Sequence, residues 1–393
     1  MRWLLAAVVL GTLACGSTTP TAAVHSSVPS PSQASPASPS QLGGSTDATS
    51  PSPHQTSELS YAVLLDLFST PGSYSVAVAD RAGRVVARAT ASQRTSISDA
   101  IELPYISASK SHVYYLDGDQ TVRYLNVDGT TGSAATIAGG PSVHATFAVT
   151  PDDKRIAVGL LDYSVSPVRL TIYVEDLGGA HHAAIYSSTN HYVWPVAWHA
   201  GKLVVAYLGP NAVPFKSKTT LYSNGDLTNY PYGPSPYGGI NFHVINPATA
   251  VREAIISGGG ASGLLSKAGT AVVQGDANDW SGNWINWNSP HDYGTFSAAG
   301  SLSPDGQMIA ACCPAPAASG QLVIWYRDDV TKVLPVTVTA FDWVGWLDND
   351  HVVTGFYRAE DGSPGLVEIS SGAVTPIAAH GIVVAIFPSN LEA

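Results

Sequence analysis

From about residue 58 to the C terminus the chain is a succession of short runs in which apolar and polar residues alternate, each bounded by Gly, Pro, Asn or Asp. Alternation with a period of two is the mark of a half-buried strand, and the bounding residues are turn formers. One clean set reads His144–Thr150, Arg155–Asp162, Arg169–Asp176 and His181–Ser187, four strands that we label A to D. Further sets begin at about Leu103, Val193, Ser262, Ala299 and Ala340. Two remnants are left over. Leu59–Phe68, Tyr74–Asp80 and Arg84–Ala91 read as strands B, C and D without an A, and Gly381–Pro388 reads as an A without the rest.

The ends of the A strands are variants of one phrase: Phe147-Ala148-Val149-Thr150-Pro151-Asp152-Asp153, Gly300-Ser301-Leu302-Ser303-Pro304-Asp305-Gly306, Val344-Gly345-Trp346-Leu347-Asp348-Asn349 and Val384-Ala385-Ile386-Phe387-Pro388-Ser389-Asn390. Four-strand repeats of roughly forty residues point to a β-propeller. The expected fold is therefore all-β: a seven-bladed β-propeller over 58–393, its ring closed by the C-terminal strand A joining the N-terminal strands B–D. Within strand A, Ala148, Ala197, Ser301, Gly345 and Ala385 share one position, and Val149, Trp198, Leu302, Trp346 and Ile386 share the next. Neighbours on a strand face opposite ways. Small residues then face the crowded axis or a neighbouring blade while large ones fill the space between blades, so Trp198 and Trp346 are expected in the core.

Leu302-Ser303-Pro304-Asp305-Gly306, with its weaker copy Val149-Thr150-Pro151-Asp152-Asp153, resembles the WD-repeat and TolB-like propellers of bacteria. The resemblance covers the domain in architecture, with two repeats matching well. The Trp-Asp ending of strand C is absent; Val127-Asp128, Glu175-Asp176 and Tyr326-Arg327-Asp328 stand there. It implies a binding scaffold, in which a His near the start of strand A bonds within its own blade.

Composition narrows the function. Of 393 residues, 12% are charged, with 29 acidic against 18 basic and a net charge of −11. Without a Lys/Arg cluster to neutralise phosphates, nucleic acid is not an expected partner. Residues 1–15 hold one positive charge and an apolar run from Trp3 to Leu13, shorter than the about 20 residues that span a bilayer. The ending Ala14-Cys15-Gly16 resembles a lipoprotein lipobox, with Thr12 where the pattern prefers Leu. That resemblance implies lipidation at Cys15 and a membrane anchor on the extracytoplasmic side, or secretion if Cys15 is unmodified. Residues 16–57, rich in Ser, Thr and Pro with Asp47 their one charge, form the expected disordered tether. The expected protein is a monomer that meets the membrane only through its anchor.

Binding is expected where the loops vary. Turns joining A to B are tight, whereas those joining B to C differ and share an end with the D–A loops. On that face the candidates are Trp280 and Asp279, Tyr222, Tyr230, Tyr232 and Tyr237 of the 209–239 insertion, and His144, His191 and His380. Aromatic faces stack on sugars or peptides while amides and carboxylates orient them. Trp284 and Trp287 align with Phe242 and Ile245 of the neighbouring strand C and are expected to pack. The three histidines lack any metal-ligand spacing, so no metal is expected. Cys312-Cys313 is read as a vicinal disulfide or a reduced pair. Gly258-Gly259-Gly260-Ala261-Ser262-Gly263 spells GxGxxG but lies between strands, without the βαβ unit a dinucleotide needs. No cofactor is expected. The leading reading is a scaffold for a protein, peptide or glycan. The alternative is a hydrolase or lyase acting on a glycan or small ester at the same face, through His or through carboxylates among Asp117, Asp119, Asp276, Asp279, Glu360 and Asp361.

Overall fold

The computed structural model describes residues 60–388 apart from 68, 102, 208–213, 216–240, 257–262, 266–269, 275–280, 287–288, 298–299, 312–318, 328–329, 340–342 and 356–361. Side chains are not described across 256–300. The described residues contain strands and turns and no helix.

Chain order is β1 (Tyr61–Asp66), β2 (Ser73–Ala79) and β3 (Val85–Ser92), then β4 (Ile106–Ala108), β5 (Val113–Asp117), β6 (Thr121–Leu125) and β7 (Thr131–Thr136). β8 (Val143–Val149), β9 (Arg155–Asp162), β10 (Arg169–Asp176) and β11 (Ala183–Ser188) follow, then β12 (Val193–His199), β13 (Lys202–Tyr207), β14 (Asn241–Asn246) and β15 (Val251–Ile256). Next come β16 (Gly263–Leu265), β17 (Thr270–Gln274), β18 (Ser281–Asn286) and β19 (Ser289–Ser297), then β20 (Gly300–Leu302), β21 (Met308–Ala311), β22 (Ser319–Tyr326) and β23 (Thr331–Thr339). The last are β24 (Trp343–Asp348), β25 (His351–Gly355), β26 (Gly365–Glu368), β27 (Val374–Pro376) and β28 (Ile382–Phe387). They pair antiparallel, in chain order, into seven four-stranded sheets, except that β28 takes the first place beside β1, β2 and β3. The first and last described strands thus share one sheet.

Register irregularities avoid the middle of each sheet: three first-strand pairs carry one, β28–β1, β12–β13 and β24–β25. All seven central pairs, such as β9–β10 and β13–β14, run without a shift. Six of the seven outer pairs carry one; only the short β26–β27 pair does not. A bulge twists an edge strand and spoils it as a template for another chain, and Pro335 in β23 and Pro376 in β27 remove donors from the same edges.

The first strands of successive sheets pack together: β28 against β4, β4 against β8, β8 against β12, β16 against β20, β20 against β24, and β24 against β28. The repeated A-strand positions explain the fit. Trp198 is 1% exposed and its indole N–H donates 3.0 Å to the Ala148 carbonyl of the preceding sheet. Trp346, 2% exposed, donates 2.8 Å to the Ser301 carbonyl in the same relation. Ala148 and Ser301 are the small residues of the repeat. At Gly345 an added Cβ would lie 2.9 Å from the Val383 side chain of β28, so the backbone itself needs the space.

The A–B turns repeat the chemistry. Thr150 Oγ1 accepts from the Lys154 and Arg155 amides (3.1 and 2.9 Å), and Ser303 Oγ accepts from the Gln307 and Met308 amides at the same spacings (3.1 and 2.9 Å). The fourth turn residue is left-handed in both, Asp153 at φ 61° and Gly306 at φ 69°. Ser109 Oγ accepts likewise from the Ser111 and His112 amides, in a turn two residues shorter that lacks Pro-Asp.

Trp198→Phe and Trp346→Phe keep most of the packing but strand a buried carbonyl. Each is expected to cost about 1–3 kcal/mol in urea denaturation, against about 3–5 kcal/mol for the alanine variants.

Candidate functional site

Because every sheet runs A-B-C-D, its B–C connection and the D–A connection to the next sheet leave at one end. The 208–240 connection between β13 and β14 is much the longest of these. Sequence reasoning expected the site at this end.

Its described part is a bonded framework. The connection from β3 to β4 is held by two carboxylates of the β5–β6 turn. Asp117 Oδ1 accepts from the Ser92 amide at 2.8 Å, while Asp119 accepts from the Thr95 amide and hydroxyl, both at 2.7 Å. The Arg94 guanidinium lies 4.9 Å over the Tyr105 ring and donates to the Ala145 and Leu103 carbonyls. Ile101 and Leu103 of this connection are buried beside Trp194. Asp117 and Asp119 therefore serve as amide acceptors that fix a loop.

His144 belongs to the same framework. It is 2% exposed, and its Nε2 lies 3.1 Å from the Thr95 carbonyl, which fixes the proton on Nε2. The bond goes to the β3–β4 connection, not within the histidine's own sheet as the WD-repeat pattern implies. Its ring meets Tyr163 edge-on at 5.4 Å, and Tyr163 meets Phe215 likewise at 5.4 Å. Phe215, inside the long β13–β14 connection, bridges to Ala100; the Pro214 carbonyl accepts from Tyr163 Oη (2.9 Å) and the Ile101 amide (3.3 Å). Three connections are stapled at one point. No apolar periodicity marked Phe215, and nothing near Arg94 or Thr95 in sequence signalled a clamp.

His191 sits elsewhere. It is exposed, bonds Asn190 through Nδ1 (2.9 Å), and stacks on Tyr207 (6.3 Å, 19°). Tyr207 stacks in turn on His243 (5.1 Å, 27°). His380 is exposed between β27 and β28. So His144 and His191 lie in separate aromatic clusters. Among the described residues no group of three or more His, Cys, Asp or Glu is placed to hold a metal. Trp280, Asp279, Tyr222, Tyr230, Tyr232, Tyr237, Cys15, Cys312, Cys313, Asp276, Glu360 and Asp361 lie outside the described residues, as do residues 1–59, the Gly258–Gly260 run and Trp287.

His243 went unnoticed in the sequence. Burial, with lesser pushes from Arg252 and His191, lowers its imidazole from 6.5 to about 4. A depressed histidine contributes stability that is full above 6.5 and lost as the pH falls towards 4. His243→Gln should therefore flatten the loss of Tm on acidification from pH 6.5 to 4; an unchanged acid limb would refute this role for His243.

No family model matches the chain, and no curated protein matches it significantly. Solved structures similar to it include a protein from Lactobacillus plantarum (12% identity, 84% of this chain and 98% of that one, TM-score 0.46). They also include oligogalacturonate lyase from Vibrio parahaemolyticus (9%, 78% and 90%, 0.43) and TolB from Acinetobacter baumannii (12%, 84% and 66%, 0.41). At scores below 0.5 these likenesses carry no weight for activity.

Proposed function

We propose that the sheets form a closed seven-bladed propeller and that the protein is an exported, lipid-anchored scaffold. It binds a protein, peptide or glycan through the end bearing the B–C and D–A connections. The pairing of β28 with β1, and the packing of β28 against both β4 and β24, support the ring. The observation that carries the binding reading is the staple at Phe215. It ties the longest connection to Tyr163, Ala100 and Ile101, whose own loop is clamped by Asp117 and Asp119. A rigid frame carrying long variable connections is the usual build of a recognition surface, since preorganisation lowers the entropy lost on binding.

The test is a thermal-shift screen of the purified chain against cell-wall fragments, oligosaccharides and peptides. A ligand at 100 times its Kd adds about 2.7 kcal/mol of stability. A shift that vanishes in Trp280→Ala, or on shortening 216–240, with no turnover of the ligand, supports the reading. Turnover would install the hydrolase or lyase alternative, and a shift indifferent to both changes would move the site to another face.

A further inference from the structure

The β12–β15 sheet carries a partly open surface on the face it turns to the preceding β8–β11 sheet. Trp198 and Pro195 define that face, one by its bond to Ala148 and the other by its closeness to Gly159. Residues directly opposite one another across a strand pair share a face. Leu203, Val205 and Tyr207 of β13, with His243 and Ile245 of β14, therefore look the same way. On β15 the register shift decides the rest. His243 stands opposite Ile255 and Ile245 opposite Arg252, so both β15 residues turn to this face although they are three apart, with Glu253 as the extra residue. Glu253 is bonded to Lys202 (3.0 Å) and Asn246 (2.8 Å), which belong to the other face.

Near β12 the junction is closed, with Leu203 and Val205 fully buried. Towards β15 it opens: Ile255 is 45% exposed and Arg252 is exposed as well. Beside them lies the pile of rings, exposed His191 on Tyr207 on His243, and Tyr186 of β11 donates across the junction to the His191 carbonyl (3.4 Å). The charge here is unusual for this chain, in which 29 acidic residues face 18 basic ones. Arg81, Arg84, Arg123 and Arg169 meet carboxylates, Arg88 and Arg94 donate to carbonyls, Arg155 lies over Trp198, and Arg327 too has a partner. Among the described residues none hydrogen-bonds or pairs with the Arg252 side chain. Burial first, and Arg252 second, hold His243 at about 4, so at neutral pH it adds a ring and no charge.

We propose that this opening takes a peptide segment in which an Asp or Glu stands beside an aliphatic or aromatic residue. The Arg252 guanidinium, a planar fork of donors, receives the carboxylate, while Ile255 and the His191 ring take the apolar side chain. A sugar ring gains from aromatic faces and hydrogen bonds, neither of which Ile255 offers, so the surface fits a peptide better than a glycan. Tyr207 ends β13 and Asn241 starts β14, which puts the surface at the root of the long connection. The proposal thus rests on the binding reading above and narrows it to one ligand class and one side of that end.

The test uses random twelve-residue peptides displayed on phage and selected on the intact chain. Selected peptides should be enriched in Asp or Glu next to Leu, Ile, Val or Phe. A synthetic copy of one should bind Arg252→Gln and Ile255→Ser each about fivefold more weakly than the wild type. Amidating its acidic residue should weaken binding to the wild type by a similar factor and change binding to Arg252→Gln little. Arg252→Gln breaks no bond of the fold and should keep the wild-type Tm. Selected peptides without acidic enrichment, or an acidic peptide that binds Arg252→Gln as well as the wild type, would overturn the proposal. So would Arg252-dependent binding of an acidic oligosaccharide with no peptide bound. A ligand lost in Trp280→Ala but indifferent to Arg252→Gln overturns it while leaving the binding reading standing, whereas the absence of any peptide or glycan ligand removes both.

Discussion

The contact on which this architecture depends is an indole reaching across a gap that the preceding strand leaves for it. Trp198 and Trp346 each put a bulky ring between two sheets and satisfy their one donor on a backbone carbonyl of the sheet before. The carbonyl belongs to Ala148 or Ser301, residues small enough to let the two first strands approach. A carbonyl on a first strand is spent in pairing only on the side facing the second, so an indole can meet it without competing with a ladder bond. The packing is directional as well: each sheet offers space forward and fills space backward. A chain of sheets built this way needs no helix to cover it, because each sheet's apolar face is the next one's lid.

That rule leaves the two ends of each sheet different work. At the A–B end, turns are short and their hydroxyls or carboxylates are consumed by amides of the same turn: Thr150, Ser303, Ser109 and Asp348. Adjacent turns even bond each other, Lys110 to Pro151 and Asp305 to Asn349. At the B–C end the polar groups instead hold long connections in place, as Asp119 holds Thr95 and Arg94 holds Ala145. Such bonds add little stability each, but they deny the loops conformational freedom, which is what a binding surface gains from a scaffold.

Most of the strands were legible because alternation and turn residues coincide. β9, β10 and the start of β12 fall where the pattern put them, and β8 and β11 differ by one or two residues at each end. The split of one sheet between the termini was legible as well, since Gly381–Pro388 was an A strand without partners and the N-terminal remnant lacked an A. What escaped were interactions between residues far apart in sequence. Thr95 and His144, or Ala100 and Phe215, carry no local signature, because a clamp on an irregular loop has no period. His144 looked like a functional candidate for being polar beside a strand, and its burial against Thr95 was invisible. The Ser109 turn was missed for the opposite reason: its hydroxyl caps the turn as Thr150 and Ser303 do, but the turn is two residues shorter and the Pro-Asp by which those turns announce themselves is absent.

The same contrast explains why titratable groups gather where they do. An imidazole at the tight end meets a carboxylate that is already fixed by the turn: His112 by Asp153, His181 by Asp176, His182 by Glu175 and His351 by Asp348. At the opposite end His144 meets a carbonyl and His191 an aromatic ring, partners whose charge does not change with pH. Two of the four, His181 with Asp176 and His182 with Glu175, lie within one sheet with the imidazole exposed, where solvent screens them. The other two are half-buried at junctions: His112 meets Asp153 of the next sheet, and His351 shares Asp348 with Arg81 of the neighbouring sheet. Half-burial beside a junction is where such pairs keep their strength, because solvent screens them less there than on the exposed turns.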